Sequence, residues 1–291
     1  MQALVITAYQ NKTTLKRNLE LFSKRFECFV HIDKKSPINT PEFLEELNSL
    51  ERVTAISEYK INWGSYLHMM AILRLLQMAL KKPEIDRIHI ISGEDFPVKS
   101  YEEFHQFFEV EHPKENFIEL TDIRNMPTVQ RRYTKFHFQH IFNRKSKNKL
   151  IIFIDKAIRQ MQYHLPFERK TRFDYKGLVW SSLSREGAER VLEYVTPKRI
   201  EVLKYTEAAE EFMVQNALMG SELEKTVVTD NLRFADWNQC LTGPKVLSIK
   251  DYEKIKKSAC FFARKIHDKE DEPEAKALYD KVFLEFTNFV Q

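Results

Sequence analysis

The run Cys260-Phe-Phe-Ala-Arg-Lys265 sets two cations, Arg264 and Lys265, directly against residues that favour burial. A buried charge is costly unless an opposite charge meets it, so the pair asks for an anion. Arg offers a planar fork that fits phosphate oxygens, and Lys adds a mobile point charge. Two adjacent acids, Glu210 and Glu211, open a helical pattern that is otherwise nearly uncharged over 210–218. Acids at that end complement the helix dipole. Neighbours in sequence cannot share one helix face, so one of the two points inward. An inward carboxylate over a cleft can act as a general base, and the dipole role alone also accounts for the pair. Asp33, in "VHIDKKSP", and Asp95, in "SGEDFPVKS", each follow a β-rich run. Caps and turns favour Asp there as readily as a ligand site does.

Several other chemistries are missing. The six glycines build neither Gly-x-Gly-x-x-Gly nor a P-loop. No Asp-x-Asp occurs, the pair by which many nucleotide-sugar enzymes hold a divalent metal on the diphosphate. If this chain binds a diphosphate, side-chain cations must neutralise it. The nine histidines show no metal spacing, and His137-x-x-His140 lies in a basic, aromatic stretch. Gly-x-Ser-x-Gly and His-Glu-x-x-His are both absent. Cys28, Cys240 and Cys260 lack paired spacing, which argues against disulfides or zinc and for a reducing compartment. With 46 basic against 42 acidic residues, the net charge of +4 does not suit a nucleic-acid partner. No apolar run approaches the roughly 20 residues of a membrane span. The segment 3–9 already reads as a buried strand and not as a leader. The expected place is the cytoplasm, with peripheral contact at the inner membrane face as the variant.

These side chains need a frame. Apolar runs at 3–8, 27–32, 53–56 and 87–91 read as strands. Helical periodicity runs over 13–22, 41–50, 66–80 and 101–108. Such alternation implies an α/β fold, a mostly parallel sheet covered by helices. Ligands in such sheets bind beyond the carboxyl ends of the strands, where Asp33 and Asp95 fall. Gly64 and Gly93 sit at turns, where backbone freedom is useful. The last third predicts strands at 177–182 and 226–229, with helices at 186–195, 210–218 and 274–289. The stretch 131–149 is rich in aromatic, His and basic residues, and an amphipathic stretch follows at 150–165. Without repeats or a Gly/Ser linker, one domain over 1–291 is expected, with 125–170 inserted on its acceptor or membrane side. The cluster 143–149 reads as a solvated loop or, with the amphipathic stretch, as a contact for anionic lipid.

Seven motifs, taken in order, resemble one family. They are "VHIDKKS" (30–36), "NWGSYLHMMAILRLLQMAL" (62–80), "ISGEDFPVKS" (91–100), "GLVWSSLSREGAERVL" (177–192), "EEFMVQNAL" (210–218), "NLRFADW" (231–237) and "FFARK" (261–265). The family is that of the core-2/I-branching β-1,6-N-acetylglucosaminyltransferases and peptide O-xylosyltransferases, glycosyltransferase family 14. The resemblance implies a GT-A-type fold that binds a nucleotide sugar, and inverting transfer from a UDP-sugar without a divalent metal or other cofactor. By resemblance, Arg264 and Lys265 match the positions that hold the donor diphosphate. Glu211 matches the catalytic base, although Ala209 stands where Pro is frequent, which leaves open whether Glu210 or Glu211 faces the site. Asp33 matches the acid near the uridine, and Asp95 the acid near the donor sugar. Trp63, Gly64, Trp180 and Ser181 fall on the donor side, although a buried aromatic with a bonded N–H explains either tryptophan equally well. Glu94 and Lys99 are acceptor candidates.

The function implied is transfer of a sugar, N-acetylglucosamine first, to a hydroxyl of a growing surface glycan. The family's Golgi members carry an anchor, a stem and many cysteines. Their absence suggests a bacterial enzyme with a lipid-linked acceptor. Alternative readings are a xylosyl- or other UDP-sugar transferase, a hydrolase of the same fold, and a non-catalytic glycan or nucleotide-sugar module.

Overall fold

Every residue of strand β1 (Gln2–Ala8) is buried, and its side chains divide between two faces. Leu4, Ile6 and Ala8 join one apolar core, while Ala3 and Val5 join another. A strand buried on both faces belongs to a sheet covered on both sides. The computed structural model describes residues 1–164, 168–237 and 243–290. After β1 come α1 (Lys12–Phe22), β2 (Glu27–Ile32), α2 (Pro41–Asn48), β3 (Val53–Ile56), α3 (Tyr66–Ala79) and β4 (Arg87–Ser92). The middle holds β5 (Asp95–Pro97), α4 (Tyr101–His105), β6 (Asn116–Phe117), β7 (Thr121–Asp122), α5 (Pro127–Thr134) and α6 (Lys149–His164). Next are β8 (Tyr175–Lys176), β9 (Ser181–Ser184), α7 (Arg185–Tyr194), α8 (Pro197–Leu203) and α9 (Glu210–Leu218). The chain continues through β10 (Val227–Val228), β11 (Arg233–Ala235), α10 (Tyr252–Lys257), β12 (Phe262–Arg264) and α11 (Pro273–Val290).

The central sheet has seven strands in the order β10-β6-β9-β4-β1-β2-β3. It is mainly parallel: β1 runs parallel to β2 and β4, β2 to β3, and β10 to β6. Only β9 opposes its neighbours, β4 and β6. Helices α1, α2, α4 and α11 supply side chains to the core on one face, and α3, α7 and α9 to the core on the other. This is the expected α/β layering.

A second, three-stranded sheet, β11-β12-β5, lies beyond the carboxyl end of β4. There β12 pairs antiparallel with β5 and sets Arg264 opposite Asp95. A third sheet pairs β7 with β8.

Two details differ from the sequence reading. The strand expected over 177–182 starts later, at Ser181. Residues before it spend their backbone N–H groups elsewhere: Gly177 N donates to the Glu211 carbonyl (3.0 Å) and Leu178 N to Glu119 Oε1 (3.3 Å). The helix expected over 101–108 ends its α-form at His105 and continues as a π-helical turn, Gln106–Glu111. That wider turn lets the consecutive Phe107 and Phe108 both meet Phe261, with ring centroids 4.7 and 4.8 Å away. The basic, aromatic stretch is loop and turns over 135–148 between α5 and α6, and the amphipathic stretch after it is helix α6; residue 165, the end of that expected stretch, lies outside the described residues. Cys28 and Cys260 are free thiols, and Cys240 also lies outside the described residues.

Candidate functional site

The β5–β12 pairing buries a charge cluster next to the sheet's carboxyl edge. Asp95 is 1% exposed, and one of its oxygens accepts from Ser92 N (2.7 Å) and from the Ser92 hydroxyl. Its other oxygen, Oδ1, faces Arg264 Nε at 3.7 Å. The Arg264 guanidinium lies over the Trp180 ring, 4.4 Å from its centroid, a cation–π contact. Arg264 is itself buried, and among the described residues its Nε and Nη1 have no hydrogen-bond acceptor.

A second guanidinium, Arg233 on β11, enters from below. It donates to Ser182 Oγ (2.8 Å) and to the carbonyls of Ser181 (2.7 Å) and Ile90 (3.3 Å). Burial pushes its pKa down to about 9, Asp95 opposing the shift and Arg264 adding to it. Asp95 thus faces Arg264 directly and acts on Arg233 through space, with Asp230 acting on Arg233 as well. The surplus is positive, and unpaired donors accompany it. Buried polar groups in native proteins are nearly always satisfied, so these orphan donors leave room for an anionic acceptor. Lys265 follows at the strand's end and takes no ion pair among the described residues. Ile266 N donates to the Glu94 carbonyl (2.9 Å), which ties this strand end to the loop after β4.

The two acids of α9 diverge. Glu210 is the inward one, with a side chain 11% exposed against 22% for Glu211. Glu210 Oε1 lies 3.2 Å from His68 Nδ1, and His68 Nε2 lies 3.1 Å from Thr7 Oγ1 at the end of β1. The His68 ring is 6.0 Å from that of Trp180, so Glu210 reaches Arg264 through two rings. Glu210 Oε2 is buried without a partner among the described residues. Glu211 turns the other way. Its Oε2 accepts from Arg132 Nη1 (2.9 Å) and Lys176 Nζ (3.4 Å). Glu119 stands close by, its pKa raised by burial, with the Leu178 N–H and Lys176 opposing and Glu211 adding.

The loops that deliver α9 explain this arrangement. Trp63 is 48% exposed, and the adjacent Gly64 holds φ 73°, a conformation natural to glycine. The Gly64 carbonyl accepts from Ala208 N at 2.8 Å, and Ala208 is itself left-handed at φ 50°. For a residue with a Cβ that conformation costs on the order of 1 kcal/mol and marks a constrained site. Arg132 Nη2 donates to the Glu207 carbonyl (3.1 Å) and fixes the same corner. Gln215 Nε2 bridges the carbonyls of Glu119 and Leu178 (both 3.1 Å), which holds the loop carrying Trp180.

The remaining expected residues take supporting positions. Asp33 Oδ1 accepts from Lys35 N (3.1 Å) and Ile61 N (3.0 Å), so it pins the loop leading to Trp63. Ser181 is fully buried, its hydroxyl bonded to the Val179 carbonyl (3.0 Å). Glu94 accepts from Gln10 Nε2 at 2.8 Å, and Lys99 faces Glu103 at 3.8 Å on α4. Sequence reasoning did not single out Arg233, His68, Arg132, Lys176 or Glu119. Arg233 and His68 stand inside quoted motifs; a polar residue within an apolar run was the available signal. His137 and His140 are not placed as ligands: His137 lies 3.0 Å from the Arg131 carbonyl. Among the described residues no group of three His, Cys, Asp or Glu is arranged to hold a metal ion.

A family model described as Core-2/I-Branching enzyme matches residues 3–257, ending before Arg264 and Lys265. No curated protein matches the chain. Among solved structures, a 1–349 fragment of S. aureus TarS aligns with TM-score 0.38 and 15% identity, over 79% of this chain and 58% of that one. A longer S. aureus TarS structure aligns with TM-score 0.34 and 13% identity, over 71% of this chain and 33% of that one. The chain thus spans little more than half of the first TarS structure and a third of the second.

Proposed function

This chain belongs to the Core-2/I-branching enzyme family, and on that footing we propose that it moves N-acetylglucosamine from its UDP-sugar to a hydroxyl of a growing, lipid-linked surface glycan, with inversion and without a metal. Family membership supports UDP-sugar-dependent glycosyl transfer; that activity, the sugar, the acceptor and the mechanism together are the proposal.

One observation carries the donor side. Arg264 faces the buried carboxylate of Asp95, whose charge Arg233 also feels, and Arg264 keeps donors without an acceptor among the described residues. A diphosphate supplies the missing anion, and Lys265 adds a second charge at its edge. As the bond to the anomeric carbon breaks, negative charge builds on the β-phosphate. Arg264 and Lys265 then bind the transition state more tightly than the ground state. The sequence has no Asp-x-Asp, and these cations take the neutralising role that a metal has elsewhere.

Glu211 is the base in this reading. Its carboxylate lies on the more open side of α9, and Arg132 and Lys176 steer it. It takes the proton of the acceptor hydroxyl, whose oxygen attacks the anomeric carbon opposite UDP. UDP leaves with the bonding pair. Charged devices on opposite sides of one carbon suit inversion, as in inverting glycosidases. A second reading gives the role to Glu210 and is favoured by its buried, unpartnered Oε2.

The test is product analysis in EDTA with UDP-N-acetylglucosamine, UDP-xylose and a panel of lipid-linked and free oligosaccharides. Transfer of N-acetylglucosamine to a lipid-linked acceptor is the expected result. UDP release without a glycan product would make the chain a hydrolase. Donor binding without turnover on any acceptor would make it a binding module.

A further inference from the structure

Residues 136–164 contain six Lys or Arg and a single acid, Asp155. Asp155 is buried and occupied by Arg144 (3.2 Å) and Arg159 (3.0 Å). Lys145, Lys147, Lys149 and Lys156 are left exposed, with no acid of this segment to answer them. The same segment exposes Ile141, Leu150, Ile152, Phe153, Met161 and Tyr163, half of the twelve large apolar side chains exposed among the described residues. Scattered singly they would need no explanation; concentrated on one element they do.

Helix geometry sorts them. At 100° per residue, Leu150, Phe153, Ala157 and Met161 stack on the outward face of α6. Phe153 is 68% exposed and Leu150 63%, while Asp155 points at the protein. Lys149 and Lys156 line one side of the apolar stripe, beyond Phe153, and Lys145 and Lys147 precede it on the loop. Among the described residues no helix is long and apolar enough to cross a membrane. A short amphipathic helix with an apolar stripe and flanking lysines lies in the lipid interface instead.

The position of this face matters for the site. Lys145 Nζ sits 5.4 Å from the ring centroid of the exposed Trp63, whose neighbour Gly64 accepts from Ala208 N. Arg144 pairs with Glu207, three residues before Glu210. The loop before α6 is therefore fastened both to Trp63 and to the corner that delivers α9.

We propose that the outward face of α6, with Lys145, Lys147 and Lys149, is a docking surface for an anionic lipid bilayer and turns the Trp63 side of the site toward it. The apolar stripe enters the interface, and the lysines meet lipid phosphates. Each lysine lost weakens partition by about fivefold, and salt weakens all of them together.

The test is co-sedimentation of the full chain with phosphatidylcholine vesicles, with and without phosphatidylglycerol. The chain should pellet with the anionic vesicles and stay in solution with the neutral ones. Leu150→Asp with Phe153→Asp, and separately Lys147→Glu with Lys149→Glu, should each reduce partition by about tenfold or more. Leu284→Asp, at an exposed apolar position on α11, should leave it unchanged. Failure to pellet with anionic vesicles, or unchanged partition in both double variants, overturns the proposal. So does a concentration-dependent dimer that Phe153→Asp splits, which would give the face to a second copy. The lysine pair, at exposed positions at the start of α6 and just before it, keeps the test valid if the Leu150/Phe153 pair fails to fold. UDP binding, measured on the same samples, reports the donor site independently.

Discussion

Replacing Lys265 by Ala should weaken UDP binding about ten- to a hundredfold while leaving the unliganded chain as stable as before. Among the described residues the Lys265 ammonium takes no ion pair; its Nζ is 3.5 Å from where a Cβ would stand at Gly243. Truncation therefore strands no partner, and the cost to the free chain is that of a surface change, within about 0.5 kcal/mol. In the complex, a charge-assisted hydrogen bond to phosphate contributes about 1.5–3 kcal/mol. At about 1.4 kcal/mol per decade this gives the stated range. Arg264→Ala is the poorer probe. It removes the cation that faces buried Asp95 and leaves only Arg233, which is bonded elsewhere, to answer it, so the free chain loses up to about 3–5 kcal/mol. The assay is titration calorimetry in EDTA with UDP and with uridine. Uridine lacks the diphosphate, so its affinity should not change. A Lys265→Ala chain that binds UDP within twofold of the parent, or that loses uridine and UDP equally, refutes the assignment.

Other outcomes follow from the same geometry. Glu211→Gln should bind UDP normally and lose about 10²- to 10⁴-fold in transfer rate; near-normal turnover, with Glu210→Gln inactive, would move the base to Glu210. The chain should lose stability below neutral pH. Burial holds His31 at about 4, and its Nε2 accepts from Glu58 N and Tyr59 N. The unfolded chain binds that proton near 6.5, so between about 6.5 and 4 it holds more protons than the fold does, and stability falls as pH falls. His31 alone accounts for up to about 3 kcal/mol, with His89, also depressed by burial, acting in the same direction. Urea midpoints at pH 7 and 5 check this, and equal midpoints would contradict it. Gly177→Ala should cost about 3 kcal/mol or displace the Trp180 loop, since a Cβ there overlaps the Glu119 carbonyl and meets Gln215 Nε2 at 2.7 Å. A melting temperature equal to the parent's would show that the loop yields more easily than this packing allows.

Part of the large sheet, β1 to β4, was readable because strands such as Gln2–Ala8 and Glu27–Ile32 carry continuous apolar runs between strongly periodic helices, whereas the two residues of β6 gave no signal and β9 was placed too early. The small sheet was not. Its strands are three residues each, too short to show a period, and β12 finds β5 only after the chain has folded. For the same reason the cationic pair was visible at 264–265, but its burial against Asp95 and Trp180 was not. Spacing alone required one of Glu210 and Glu211 to point inward; choosing Glu210 needed His68, which is 142 residues away in sequence. Arg233 reads as an ordinary charge beside Phe234, and only three backbone and hydroxyl acceptors from β4 and β9 show that it is buried.

Binding of the donor without metal tests the account most directly. The measurement is thermal stabilisation of the full chain in EDTA against a panel of nucleotides and nucleotide sugars, where a ligand raises the melting point by mass action. The account predicts that UDP and a UDP-sugar, N-acetylglucosamine first, raise it in EDTA while other nucleoside diphosphates do less. No shift with any UDP compound, or a shift only after a divalent metal is added, would contradict it.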